Sequence, residues 1–346
     1  MDAIEAAELV RSLANQAPLA VDSLKASQGQ FGGVDSSTSV FRVSFDSSQT
    51  AVLKTFQEVR HWREELANLV FLQEVAPEHS AAVLSSREGA ILLEDLGSET
   101  VATRCRSAPT KGLGAWFLWA EAFAVVHARA SSKLPRLDAV YAPEKPRTAV
   151  ISTADQLLEI LDHVADRTRA FRFKEAERLQ LRECLLELER RLGQLQTHGL
   201  VFGFSDANPM NAVIRDERVH FVDVGGPALG LASRAFFELW RYPEPNAVRE
   251  RYVSTARREG RSLELAELEE EGALYDIENS LIWLTRHLAA AAEGGRRDID
   301  GRQLGYDVAD RFNMDMIIRL TTPRTWLAPL RKAAETLRSI PVRLHP

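Results

Sequence analysis

The stretch "FGFSDANPMNAVI", Phe202 to Ile214, sets one aspartate and two asparagines within six positions, between apolar residues of strand type. The next strand-like run, "RVHFVDVGG" from Arg218 to Gly226, adds Asp223 ahead of two glycines. Read as a hairpin, the two runs bring Asp206, Asn211 and Asp223 toward one end of adjacent strands. Two carboxylates and an amide oxygen are hard donors of the kind that Mg²⁺ takes. With Asn211 and Asp223 on a metal, Asp206 is left to accept a hydroxyl proton, the division of labour used in phosphoryl transfer. A plainer reading stays open. Asp206, Asn208 and Pro209 also suit an Asx-turn, and Asp223 suits the start of another turn. The D-x-x-x-x-N spacing alone does not choose between them, so the rest of the chain must.

Upstream, "FGGVDSSTS" (Phe31–Ser39) leads into alternating "VFRVSF", a turn at "DSSQ" and "TAVLKTF" (Thr50–Phe56), which predicts a hairpin. Lys54 lies centrally in the third strand of this lobe, where an amine pointing off a strand can meet phosphate oxygens. The run "VRHWREELANLVFLQEVAP" carries Leu66, Leu69, Leu72 and Val75 or Ala76 at helical spacing until Pro77 closes it. Glu65 shares the face of Leu69 and Leu72 and can point at the sheet; Glu64 lies about 100° around the helix and suits that role less. Gly32 and Gly33, with Asp35, Ser36, Ser37 and Thr38, make a cap able to offer backbone N–H and hydroxyl donors to phosphate. In "AILLEDLG", Glu94, Asp95 and Leu96 fall where the small lobe ends, so their backbone can face an adenine edge.

This ordered set resembles the aminoglycoside phosphotransferase and choline-kinase-like family: a small β-rich lobe, Lys54, Glu65, "AILLEDLG", the helix "AEAFAVVHARA", "SDANPMNAVI" and "VDVGG". The match runs from about residue 30 to 230, and its specificity lies in the order, since each motif alone is weak. The resemblance implies an α+β, protein-kinase-like two-lobe fold, with a nucleotide-binding lobe over residues 1–97 and a helical catalytic and substrate-binding lobe over 98–346. It implies Asp206 as catalytic base, Asn211 and Asp223 as Mg²⁺ ligands, Lys54 as the phosphate-binding lysine and Glu65 as its partner. Gly33, Ser36, Ser37, Glu94 and Leu96 would complete the ATP or GTP site. Two departures stand out. Phe204-Ser205-Asp206 replaces the family's His-Gly-Asp, and "PALGLASRAFFELW" lacks the Asp-Leu pair that commonly follows the second metal ligand, leaving Glu238 or nothing as its substitute.

Composition agrees with an ordinary globular chain. The 346 residues are 45% hydrophobic, and 43 basic against 49 acidic residues give a net charge of -6. That balance gives no footprint for nucleic acid or an anionic membrane, and no apolar run reaches spanning length. Cys105 and Cys184 lack disulfide or zinc spacing, and "MDAIEAAELVRSLA" is an acidic amphipathic helix unlike a signal peptide, so cytoplasm is expected. The expected partner is a small-molecule hydroxyl acceptor, and the chain a monomer or homodimer.

After Gly97 the pattern turns helical. Trp116, Trp119 and Phe123 form a stripe that reads as core, and His127, His198 and His220 read as packing histidines. In "ELEEEGALYDIEN", Asp276 and Glu278 are candidates for contacting a cationic acceptor, against the alternative of a solvated helix face. "RRDIDGRQ" lacks the remaining ligands of a Ca²⁺ loop. No GxxxxGK[ST] and no G-x-S-x-G is present, which excludes a Walker-type kinase and a hydrolase elbow. No A-P-E segment follows Asp223, so a small molecule is favoured over a protein as acceptor. Antibiotic inactivation is the leading expectation, for an aminoglycoside, nucleoside or peptide type. A metabolic kinase of a choline, amino-acid or sugar-like substrate is the alternative, and a nucleotide-binding pseudokinase module a further one.

Overall fold

A capping box starts the chain. Asp2 Oδ1 accepts from the N–H groups of Ile4 and Glu5, and Glu5 Oε2 accepts from the Asp2 N–H at 3.0 Å. Such a cap contributes about 1 kcal/mol and fixes where helix α1 (Ala3–Ala14) begins. The structure, a computed structural model, describes residues 2–24, 38–46, 49–107, 109–134, 158–159, 162, 173–202, 208–225, 229–232, 245–292 and 308–339.

Five antiparallel strands follow in the spatial order β1-β2-β3-β5-β4: β1 (Ala20–Leu24), β2 (Thr38–Ser44), β3 (Thr50–Phe56), β4 (Val83–Arg87) and β5 (Ala90–Glu94). The side-chain period of two gives this sheet two different faces. Phe41, Val43, Ala51, Leu53 and Leu92 turn to one side and pack with Ala6, Leu9 and Val10 of α1. Opposite residues of an antiparallel ladder share a face, so Val40, Arg42, Val52, Lys54, Ile91 and Leu93 occupy the other. Helix α2 (Val59–Val75) buries Glu65, Asn68, Leu69, Leu72 and Val75, a stripe at three- and four-residue spacing.

From β5 the chain passes through Gly97, at φ +93°, into α3 (Val101–Ser107) and α4 (Pro109–Ala130). A short sheet pairs β6 (Leu200–Phe202) with β9 (Leu229–Leu231), and between them β7 (Ala212–Arg215) and β8 (Arg218–Phe221) form the anticipated hairpin. It rests on α4, where Trp119 and Phe123 meet the Phe221 ring at centroid distances of 6.1 and 4.6 Å. The aromatic stripe is core, as its spacing predicts. Helix α6 (Pro245–Arg258), numbered after α5 (Glu175–Gly199), packs on α4 through Tyr252.

By its internal packing the chain groups into two units. Met1–Glu144 with Val201–Leu265 makes the first, and Lys145–Leu200 with Ala266–Pro346 the second. The second holds α5, nearly all of α7 (Leu265–Ala292), α8 (Val308–Thr321) and α9 (Ala328–Ser339). Within it Lys332 of α9 meets Glu177 of α5 at 2.6 Å, and Arg338 meets Asp315 of α8 at 2.8 Å. Among the described residues no helix is long and apolar enough to cross a membrane.

Candidate active site

Lys54 leaves the middle of β3 on the face away from α1, and helical spacing turns Glu65 of α2 toward it. Lys54 Nζ donates to both Glu65 oxygens, at 2.6 and 2.7 Å, and to Asp223 Oδ1 at 2.7 Å. Three residues separated by up to 169 positions thus meet at one ammonium. Glu64, by contrast, pairs with Arg60 on its own helix.

The burial of this cluster is graded. Lys54 and Glu65 are 7% and 2% exposed, whereas the Asp223 side chain keeps 47% of its surface open. Burial lowers the Lys54 pKa, but the Asp223 and Glu65 charges raise it by more, so the ammonium is held charged. For Glu65, burial pushes the carboxyl upward against the opposing pull of Lys54, while Asp223 pushes it further up. Contact of one ammonium with both Glu65 oxygens decides for an ionised carboxylate, because a proton on either oxygen would abolish one of those hydrogen bonds. Desolvating two such ions costs several kcal/mol each, about what their attraction returns, so the pair fixes position more than it adds stability.

Asp223 follows β8, and Asn211 precedes β7. The register Ala212↔Phe221 sets Asn211 opposite Val222, whose N–H donates to the Asn211 carbonyl at 3.0 Å. Both proposed metal ligands therefore stand at the same end of one hairpin. Asn208 accepts from the Met210 N–H at 2.9 Å and caps the 3₁₀ turn Pro209–Asn211, with Pro209 at its first position. That gives Asn208 and Pro209 the turn-shaping part. The donor chemistry fits Mg²⁺: both residues offer oxygen, and the Asp223 carboxylate is half open to solvent.

Sequence reasoning passed over Asn68. It is fully buried on the sheet-facing stripe of α2, one turn from Glu65, and its side-chain amide donates to the Val224 carbonyl at 2.5 Å. Helix α2 therefore grips Lys54 through Glu65 and the segment after Asp223 through Asn68. The available signal was a single amide set among leucines.

The segment joining the small lobe to α3 is tied on several sides. Glu94 pairs with Arg215 at 2.6 Å, and Leu96, 7% exposed, packs with Ala81 and Val213. Beyond it, the Ile214 N–H donates to the Glu99 carbonyl at 2.7 Å. Gly33, Ser36, Ser37, Phe204, Asp206 and Glu238 lie outside the described residues, as does the side chain of His198. Asp276 and Glu278 sit on α7 in the second unit, 3% and 5% exposed. Burial first, and then the Glu189 charge, push the Glu278 carboxyl up to about 7.

The remaining histidines differ in detail. His127 is buried with Nδ1 2.8 Å from the Tyr252 hydroxyl, which accepts from Arg261 at 3.1 Å. Among the described residues the other ring nitrogen, Nε2, has no hydrogen-bond partner. His127 is thus a packing histidine with one ring nitrogen unsatisfied. Burial also lowers the His220 pKa.

Searches by sequence find neither a matching family model nor a matching curated protein. Comparison of folds finds solved structures over nearly the whole chain. The complex of spectinomycin phosphotransferase APH(9)-Ia with ADP and spectinomycin is 10% identical, with a TM-score of 0.55 over 97% of this chain and 99% of that one. The streptomycin–ATP–APH(2'')-IIa ternary complex is 13% identical, with a TM-score of 0.56 over 97% and 98%. Choline kinase from Cryptosporidium parvum is 12% identical, with a TM-score of 0.51 over 92% of each chain. Likeness at these identities shows the fold. It is the α+β, protein-kinase-like fold of antibiotic phosphotransferases and choline kinases, with an antiparallel five-stranded N-terminal sheet and a mainly helical C-terminal part.

Proposed function

We propose that this chain is an ATP- or GTP-dependent phosphotransferase that uses Mg²⁺ to phosphorylate a hydroxyl group of a small molecule. The observation that carries the reading is the Lys54 ammonium held by Glu65 and Asp223 beside the Asn211 end of the β7–β8 hairpin. Support comes from the folds it resembles, whose solved complexes contain ADP, ATP or GDP. Residues 1–97 would bind the nucleotide and 98–346 would carry catalysis and acceptor binding.

In this reading Lys54 donates to the phosphates, Glu65 keeps it aimed, and the backbone of Glu94 and Leu96 borders the base. Gly33, Ser36 and Ser37 would cover the phosphates. Asn211 and Asp223 would hold the Mg²⁺, which when bound neutralises charge developing on the phosphoryl group. Asp206 takes the acceptor's hydroxyl proton as that oxygen bonds to the terminal phosphorus and the bond to the bridging oxygen breaks, releasing the nucleoside diphosphate. On the acceptor side we assign Asp276 and Glu278 of α7, the acidic residues that the sequence offers to a cationic acceptor.

We favour an antibiotic as acceptor. The fold's likeness to choline kinase gives a second reading, a metabolic amino-alcohol or sugar-like substrate. Both free thiols, Cys105 and Cys184, suit a reducing cytoplasm, and nothing in the charge balance suggests a nucleic-acid partner. The test is a screen of antibiotics and metabolites that follows ADP or GDP release and the mass gain of one phosphoryl group. Asp206→Asn should abolish transfer to the acceptor so identified and still bind Mg²⁺–ATP. Unchanged turnover in that variant would remove Asp206 as the base.

A further inference from the structure

Arg42 stands on the same face of the sheet as Lys54. Ladder pairing sets Val40 opposite Lys54 and Arg42 opposite Val52, so Arg42 lies two residues, or about 7 Å along the strands, from the lysine. Its guanidinium reaches the end of β5, where Nε donates to Asp95 Oδ2 at 2.8 Å and Nη2 to Asp95 Oδ1 at 3.2 Å. Asp95 Oδ1 also accepts from the Gly97 N–H at 2.9 Å, across the residue whose φ is +93°. The Asp95 side chain is only 6% exposed, against 31% for Arg42. Burial raises its pKa, but the Gly97 N–H and then Arg42 lower it by more, so the carboxylate is held ionised.

A buried carboxylate with a two-pronged partner and a backbone donor can take only one orientation. Its own backbone belongs to the connecting segment, and its partner belongs to the Lys54-bearing face. We infer that the Arg42–Asp95 pair is a positioning device for the nucleotide: it sets the backbone of Glu94–Gly97 at a fixed place relative to the face that carries Lys54. The inference rests on the nucleotide-binding reading above. The pair touches neither the phosphates nor the acceptor in this assignment. Its loss therefore weakens nucleotide binding and spares the chemical step.

The test is calorimetric binding of Mg²⁺–ATP to the full chain and to Arg42→Ala, Arg42→Lys and Asp95→Asn, with melting temperature recorded for each. Once an acceptor is known, KM and kcat are added. Arg42→Ala should weaken ATP binding about tenfold, the scale of a lost charge-assisted bidentate pair. KM for ATP should rise in parallel, with kcat at saturating ATP and KM for the acceptor within about twofold. Arg42→Lys should recover part of the loss, since one donor replaces two. A lowered melting temperature with unchanged ATP affinity would show a purely structural pair and overturn the inference. If the wild-type chain binds no nucleotide, the nucleotide reading falls and this inference with it; if it binds and the variants bind equally, this inference alone falls.

Discussion

At the scale of single residues, Lys54, Glu65 and Asp223 are legible in the sequence because each obeys a period. Lys54 sits on an alternating strand, Glu65 on a helical stripe and Asp223 at a strand end, and the fold joins them at 2.6–2.7 Å. Asn68 and the Arg42–Asp95 pair are not legible there. The amide of Asn68 breaks the apolar stripe of α2 but does not say which carbonyl it meets 156 positions away, and the Arg42–Asp95 contact across 53 positions breaks no pattern at all. Asn68 carries a specific expectation. Asn68→Leu keeps the branching and the number of side-chain heavy atoms but leaves the buried Val224 carbonyl without its amide donor, which should cost about 1–3 kcal/mol. Urea unfolding measures that loss, and the same variant should bind Mg²⁺–ATP more weakly, because the segment carrying Asp223 loses an anchor to α2. Wild-type stability in the variant would show that the contact contributes nothing.

At the scale of elements, the hairpin of β7 and β8 is readable in the sequence and its turn is not. The register Arg215↔Arg218 leaves a two-residue loop, and both Asp216 and Glu217 have positive φ, 51° and 54°. Two left-handed residues make a type I′ turn, for which Asn-Gly is the favoured pair. Asp216→Asn with Glu217→Gly should therefore raise stability by about 1 kcal/mol. The exposed Glu217–Arg104 ion pair that would be lost is worth less than that, and Arg104 keeps Glu99. Thermal unfolding gives the answer; a lowered melting temperature would mean that the Arg104 contact outweighs the backbone strain. Strand β1 also escapes a reading by pattern. "AVDSL" has one exposed residue followed by a half-buried one, then two exposed, and so shows no alternation.

At the scale of the whole molecule, the grouping of residues 1–144 with 201–265 is invisible in the sequence, since it joins segments separated by a helical stretch of the other unit. The helical character of that other unit is visible, and so is the acidity of α7. Its electrostatics yield a pH dependence. Glu278 is 5% exposed, and its folded-state pKa of about 7 lies above that of an ordinary glutamate. An acid shifted upward stabilises the fold when protonated, so this contribution is complete at acidic pH and is lost as pH rises through about 7. The sum is roughly 3 kcal/mol. Melting temperatures from pH 5 to pH 8 should fall more steeply for the wild type than for Glu278→Gln, which should be the more stable protein at pH 8. Parallel profiles would mean that Glu278 is not a strained acid.

The central claim is that Lys54, Asn211 and Asp223 form a Mg²⁺-dependent nucleotide site, and calorimetric titration of ATP tests it most directly. The wild-type chain should bind ATP more tightly with Mg²⁺ than with a chelator present, and Asp223→Asn should lose that difference. ATP binding that ignores Mg²⁺, or that survives Asp223→Asn with its Mg²⁺ dependence intact, would contradict the account.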